Sequence, residues 1–513
     1  MRVVQLTKSQ ALRELLCGSS WCTVASLISR VSSILVSVVL ARMLGTAGLG
    51  EYGIVIAFAS ILVTGASLGA GSGTVKTLAA FMVCDRGVTA GRLWAVVALG
   101  TGGAVFFGLA GVIASDWVAS LYGVADRAMT FRLGALGAIF LALGHLGSNI
   151  LLGLKRYREY AKSVVVPAVL SLPATLMLSK HLGVEGAVAA FAAMATCQTA
   201  VAWWMAWRLC QKIGVSPGMT GAGQAARELL GVSIPSSILN VAIAGVLWLT
   251  QTMLALRAGF EAIGLFRVAL AVQSTLILVP LGIGLSSLPI MSEMFKAGRR
   301  ELLGTIIDMN LRLTLLLILP AIGFLTFASK PLIAFVYGSS FVPAALAVAI
   351  MGVTAVPMAV SNTMGQAFIV SGRAWALLPL SSVWTVSLVV SAGLLVSPLA
   401  ASGLASAHFL AYLFHVGVLT RAIRRIVDWR ATGLRFWLWS GGLLFLAGIQ
   451  WLAIPELPVA AAVAVGGVAG GGAWVLVWRL CLGPKEKEAI WSTFGRVAPR
   501  DPARSGSFAP GFE

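Results

Sequence analysis

The stretch Leu40 to Gly53, LARMLGTAGLGEYG, has a second copy 214 positions further on, Leu254 to Arg267, LALRAGFEAIGLFR, and the two align without a gap. Gly45 meets Gly259, Leu49 meets Ile263, Gly50 meets Gly264, and Tyr52 meets Phe266. Each copy lies between two apolar runs, where it reads as a short turn joining one helix to the next. Self-similarity at a fixed offset marks a chain built from two like halves.

Composition says what the halves are made of. The chain is 58% hydrophobic and 11% charged over 513 residues, against about 25% charged in an average soluble domain. Apolar runs of about twenty residues recur, each long enough to cross a hydrocarbon core of about 30 Å as a helix. Spans are expected near 19–41, 52–72, 93–114, 133–153, 163–179, 186–207, 233–256, 262–289, 310–329, 344–368, 374–396, 399–420, 436–454 and 457–481. The expected fold class is therefore an all-α integral membrane protein of about fourteen transmembrane helices. It divides into a cytoplasmic N-terminal segment (1–18), a six-helix bundle (19–212), a cytoplasmic linker (213–232) and a second six-helix bundle (233–420). A basic cytoplasmic loop (421–435), two additional transmembrane helices (436–481) and a disordered cytoplasmic tail (482–513) complete the division. Six spans separate the two copies of the turn. An even number gives the halves the same orientation, related by an axis along the membrane normal.

The formal charge of +19 would point a soluble protein toward nucleic acid. Its distribution argues otherwise, because Lys and Arg gather in alternate connections, as in Lys155, Arg156, Arg158 and Lys162, or Arg421, Arg424, Arg425, Arg430 and Arg435. The intervening connections hold few: Arg42, Arg127, Arg132, Lys180, Arg257 and Lys330. This bias places both termini in the cytoplasm, with anionic lipid rather than nucleic acid as partner of the basic loops. The first span exceeds a signal-peptide core and reads as retained. None of Cys17, Cys22, Cys84, Cys197, Cys210 and Cys481 falls in an expected outer loop, so reduced thiols are expected.

Polar residues inside the spans are the candidate site. Ser19, Thr23, Ser26, Arg30, Ser33 and Ser37 are spaced four, three, four, three, four, which puts them on one helical face. The shift of 214 maps them onto Ser233, Ser237, Asn240, Ala244, Leu247 and Gln251, four of six remaining polar. Lipid offers such groups no partners, so the stripe either lines a wet cavity or serves close helix packing. Arg30 is a fixed cation near mid-span, costing about 2.5–3.5 kcal/mol on insertion scales. No Asp or Glu lies deep in a span, so its partner is either a backbone carbonyl or amide, or an anionic cargo gripped through the guanidinium. Arg267 is an interface anchor or a second ligand. Asn149 with His145 and Ser148, Asn362 and Gln366 with Thr363, and Gln273 complete the polar inventory. His408 and His415 share a face at a spacing open to proton relay. Pro167, Pro173, Pro235, Pro280, Pro320 and Pro357 are candidate bending points. No phosphate-cradling GxxxxGK[ST] loop, HExxH pair or metal-ligand cluster occurs, no cofactor is expected, and no connection is long enough for a soluble catalytic domain. A transporter is therefore expected rather than an enzyme.

LARMLGTAGLGEYG after the first span, together with GLKRYREY from Gly153 to Tyr160, resembles the polysaccharide-biosynthesis flippases, the Wzx-type lipid-linked oligosaccharide translocases of the multidrug/oligosaccharidyl-lipid/polysaccharide exporter superfamily. The resemblance covers roughly the first 420 residues. It implies two bundles around a central cavity that opens alternately to either side of a bacterial cytoplasmic membrane. The cargo it implies is a glycan on a polyprenyl diphosphate, with membrane lipids around it and a glycan polymerase or other polysaccharide-assembly proteins as partners. Arg30 would then grip the diphosphate, while Ser26, Ser33, Ser37, Asn240, Gln251, Asn149, Asn362, Gln366 and Gln273 solvate sugar, with Arg267 as a second contact. Relatives that flip a peptidoglycan precursor, or export small amphiphiles coupled to a cation, are the alternatives.

Overall fold

The structure is a computed structural model that describes residues 8–67, 86–213, 222–298, 300–424 and 458–480, together with positions 74, 75, 78 and 426. Among these the secondary structure is helical throughout. The helices are α1 (Lys8–Ala66), α2 (Arg86–Leu121), α3 (Ala128–Gly153), α4 (Tyr157–Ile213), α5 (Ala222–Lys296), α6 (Arg300–Val336), α7 (Ala345–Val370), α8 (Leu377–Ile423) and α9 (Val459–Leu480). Short 3-10 turns cover Ala125–Arg127, Ser339–Ala344 and Ala374–Ala376.

Eight stretches are long and apolar enough to cross a membrane. Some are too long for a single crossing. Tyr157–Lys212, at 56 residues, would extend about 84 Å as a straight helix at 1.5 Å per residue, nearly three times a hydrocarbon core of about 30 Å. The chain breaks instead. α4 departs from helical geometry at Gly183 (φ 57°, ψ −128°), α1 at Gly45 (φ 69°, ψ −171°), α5 at Gly259 (φ 80°, ψ 175°), and α8 at Ala400 (φ 47°, ψ −123°). Cut at these breaks, the eight stretches become twelve segments, matching the twelve spans expected up to residue 420. α9 covers the stretch expected at 457–481. The expected span 436–454 and the tail 482–513 lie outside the described residues, and α5 begins inside the expected linker.

The left-handed positions report the repeat independently of side chains. Gly45 pairs with Gly259 at a shift of 214, Gly123 with Gly338 at 215, and Lys155 with Gly372 and Gly183 with Ala400 at 217. Only Gly298 is left over, and its counterpart falls near residue 84, outside the described residues. The hairpins match as well. A Cβ on Gly186 would overlap the Leu178 carbonyl, and one on Gly403 would overlap the Leu395 carbonyl, again 217 apart. The drift from 214 to 217 comes from longer connections in the second half, such as Ser339–Ala344 against Ala125–Arg127.

The outer surface is apolar. Phe106, Ile113, Leu394 and Val468 are 68%, 80%, 71% and 76% exposed, a surface that suits lipid and that water would drive to associate. α9 packs on α6 through close backbone contact, with Gly466 and Gly470 against the Phe324 and Pro320 carbonyls.

Candidate functional site: a cationic cavity between two bundles

The two bundles, α1–α4 and α5–α8, meet at the end where the kinks lie. One core there draws from both, with Leu40, Leu49, Phe131 and Val188 beside Leu254, Ile263, Phe266 and Leu404. At the opposite end the cores are separate. Leu93, Leu146, Ile150 and Leu209 belong to the first bundle, and Ile307, Leu319, Met364 and Leu419 to the second. Among the described residues the bundles are thus joined at the kink end and share no core at the terminal end.

The repeated turn makes the joint. A Cβ on Gly50 would run into the Phe260 carbonyl, and one on Gly264 into the Thr46 carbonyl. Gly50 corresponds to Gly264 and Thr46 to Phe260, so the contact is reciprocal, as a two-fold relation requires. Glycine is needed because the backbones touch. Polar contacts then cross the seam. Tyr122 Oη and Thr252 Oγ1 lie 2.6 Å apart, Tyr337 bonds Ser37, and Arg42 Nε donates to the Val336 carbonyl at 2.9 Å. A second Arg42 nitrogen donates to the Phe335 carbonyl, so the guanidinium caps the carbonyl end of α6, where a cation is favoured. Burial pushes the Tyr122 hydroxyl up to about 12, partly opposed by its bond to Thr252, which keeps it protonated near neutral pH.

Behind the joint lie three connected chambers. The first, about 770 Å³, is walled almost wholly by the first bundle, with Ser26, Ser29, Arg30, Ser33, Ser67, His145, Asn149, Tyr160 and Gln198. The second, about 400 Å³, lies between Arg30, Ser33, Ser37 and Tyr52 on α1 and Arg267, Gln273 and Ser274 on α5. The third, about 630 Å³, sets Ser60, Thr64, Ser67 and His145 against Ser237, Asn240, Gln251, Arg267 and His408. Arg30 and Ser33 are common to the first and second, Arg267 to the second and third, and Ser67 and His145 to the first and third. Among the described residues no Asp or Glu lines any of them. The walls carry two guanidiniums, hydroxyls and amides, a lining that attracts anions and can bond polyols.

Arg267 is the residue whose position the sequence left open. It lines two chambers and lies across Gly53, where a Cβ would sit 2.7 Å from its Nε. Ser26, Ser33 and Arg30 share the first chamber. Ser37 borders the second and also belongs to the seam. Gln251 is 6% exposed; its Nε2 donates to the Leu247 carbonyl at 3.0 Å while its Oε1 has no hydrogen-bond partner among the described residues. Gln273 is likewise 6% exposed, with Nε2 unpaired among them. Such atoms cost about 1–3 kcal/mol each if left dry, and both side chains border a chamber.

Asn362 and Gln366 are placed differently. Neither lines these chambers; Asn362 is half-buried and Gln366 buried on α7. At the repeat shift of 217 their counterparts are His145 and Asn149, which do border the first chamber. The bundles therefore share a backbone plan but differ in which helix faces the cavity. His415 bonds Ser361 at 3.1 Å and lines no chamber of the three, whereas His408 borders the third, between Phe266 and Trp384 at 5.7 and 6.3 Å. Ser60, Thr64 and Ser67 were missed, although their spacing of four and three carries the same signal as the first stripe. Each hydroxyl donates to the carbonyl four residues back, at 2.6–2.7 Å, leaving its lone pairs to accept.

Residues 39–346 match the model of the family described as polysaccharide biosynthesis protein, and no curated protein matches the chain. Among solved structures the chain is similar to lipid II flippase MurJ in an inward closed conformation, with TM-score 0.68, 13% identity, and 92% of this chain and 99% of that one covered. It is similar to an inward-facing multidrug resistance MATE family transporter of the MOP superfamily, at 0.67 and 17%, covering 78% and 94%. A MOP superfamily transporter from Pyrococcus furiosus matches at 0.51 and 16%, covering 81% and 94%. At these identities the likeness is one of fold, that of MOP superfamily transporters. The family model spans about three-fifths of the sequence, including both copies of the repeated turn, and the chain belongs to the polysaccharide biosynthesis protein family.

Proposed function

We propose that this chain is a flippase that carries a polyprenyl-diphosphate-linked oligosaccharide from the inner to the outer leaflet of a bacterial cytoplasmic membrane, for polymerisation outside. The observation that carries the reading is the cavity wall, in which Arg30 and Arg267 border one chamber from opposite bundles and no carboxylate among the described residues lines it. A diphosphate supplies the missing anion, and guanidinium binds phosphate oxygens bidentately. The hydroxyls of Ser26 and Ser33 and the amides of Asn240, Gln251, Gln273 and Asn149 offer bonds to sugar. The polyprenyl tail stays in lipid at the terminal end. Moving an unshielded ion into a low-dielectric core costs on the order of 20 kcal/mol by an idealised Born estimate, and a wet cationic cleft removes most of that barrier. On this reading the termini are cytoplasmic, so the kink end faces outward and the cavity opens inward. Alternating access then requires the seam to part and the terminal end to close.

In cells lacking the gene, polyprenyl-linked glycan is expected to accumulate facing the cytoplasm, and wild type restores surface glycan. R30A is expected to fail in that rescue and R30K to rescue only partly, because an ammonium keeps the charge but loses the fork. Full rescue by both variants at wild-type abundance excludes Arg30 as the diphosphate contact. Accumulation of peptidoglycan precursor instead of glycan precursor assigns the other cargo.

A further inference from the structure

The seam contains two tyrosines whose rings pack in the shared core and whose hydroxyls do more than packing requires. Tyr122 and Tyr337 are repeat counterparts, each standing just before a left-handed glycine, Gly123 (φ 70°) and Gly338 (φ 111°). Those glycines end α2 and α6 and turn the chain at the kink end. Each ring packs in its own bundle, and the Tyr122 ring also meets Phe260 of the opposite bundle at 6.2 Å. Tyr122 stacks on Phe131 with centroids 6.0 Å apart and planes at 9°, and Tyr337 meets Phe341 at 6.1 Å. The hydroxyls reach across, Tyr122 to Thr252 of α5 and Tyr337 to Ser37 of α1. The partners also correspond within one residue, since Ser37 maps onto Gln251, the neighbour of Thr252.

We propose that Tyr122 and Tyr337 are reciprocal latches that hold the kink end shut, each bonding a hydroxyl of the opposite bundle. The backbone contacts at Gly50 and Gly264 give the seam its shape, and a separation of a few tenths of an ångström costs them little. A hydrogen bond has a narrower range, weakening steeply once donor and acceptor part beyond about 3.2 Å or lose alignment. Related by one axis, the two bonds break in the same motion. High pKa values keep the latch uncharged, since burial raises both tyrosines and the partner hydroxyls oppose this only in part. The seam therefore has a device that favours closure without charge, and it acts whatever the cargo is.

The test uses the full chain in lipid nanodiscs with no cargo added. Spin labels go on K180C and S397C, exposed counterparts at the kink end of the two bundles, in a background whose natural cysteines are replaced. Wild type is expected to give a predominantly short distance. Y122F and Y337F should each raise the ratio of long to short distances about fivefold, the factor expected from one ordinary net hydrogen bond, and the double variant about 25-fold if the two act independently. S37A/T252V, which removes the partners and leaves the rings, should reproduce the double-tyrosine shift. A wild-type distribution in both double variants overturns the latch, as does a shift in the tyrosine pair that the partner pair fails to reproduce. Because no cargo is present, neither outcome depends on the flippase reading.

Discussion

The two ends of this molecule are built from the same twelve segments and behave differently. At the kink end the bundles share one core and touch through backbone at Gly50 and Gly264. At the terminal end each keeps its own core among the described residues, and Arg30, Ser26 and Asn149 line a chamber walled almost wholly by the first bundle. The difference shows where motion is possible. The seam adds glycine contacts, hydroxyl bonds and one arginine cap to a shared apolar core that must slide or part when it opens, whereas the bundle interiors, filled by residues such as Leu146 and Leu319, are close-packed and move as bodies.

The largest effect on this contrast is expected from the seam glycines. G50A or G264A forces a methyl group into a carbonyl of the other bundle, and overpacking of that kind costs about 1–3 kcal/mol. Thermal unfolding in detergent should register the loss, and the kink end should shift toward the open state. G245A provides the contrast, since a Cβ there meets nothing within 4 Å and alanine is the better helix former. Equal melting temperatures for all three variants and wild type would show that the backbones do not bear on each other.

A smaller effect is expected at Ala400. It occupies the left-handed position that Gly183 fills in the first half, and a left-handed residue with a Cβ is disfavoured by roughly 1–2 kcal/mol. A400G should therefore raise stability by up to about 1 kcal/mol after the entropy of a more flexible unfolded chain is subtracted. G183A should lower it. The opposite signs, read from thermal unfolding of the two variants, would remove the claim that both kinks adopt one geometry.

Much of this architecture was legible in the sequence, for a physical reason that also explains what was not. Left-handed kinks select glycine, so the turns at Gly45 and Gly259 stand out as a repeat. Lys155 and Ala400 adopt the same kind of backbone without glycine and leave no mark. The shift of 214 relates His145, Ser148 and Asn149 to Asn362, Thr363 and Gln366 only roughly, and the drift to 217 seen at the hairpins pairs His145 with Asn362 and Asn149 with Gln366. Helical periodicity placed Ser26, Arg30 and Ser33 on one face, and the cavity is on that face. It could not place Asn362 and Gln366, because α7 is buried on nearly every side and periodicity distinguishes a wet face only where another face is lipid-exposed. Ser60, Thr64 and Ser67 were legible by the same spacing.

Transport by this route requires Arg30 and its neighbours to be wetted inside the bundle pair. The direct measurement is the reaction of S26C, S33C and Q251C with a charged, membrane-impermeant maleimide, added to inside-out membrane vesicles and then to intact cells. Positions 26 and 33 should label rapidly from the cytoplasmic face and slowly, if at all, from outside, with position 251 slower because it lies deeper toward the seam. Absence of labelling at all three positions from either side, in folded protein at normal abundance, would contradict a water-filled cavity and with it the transport mechanism.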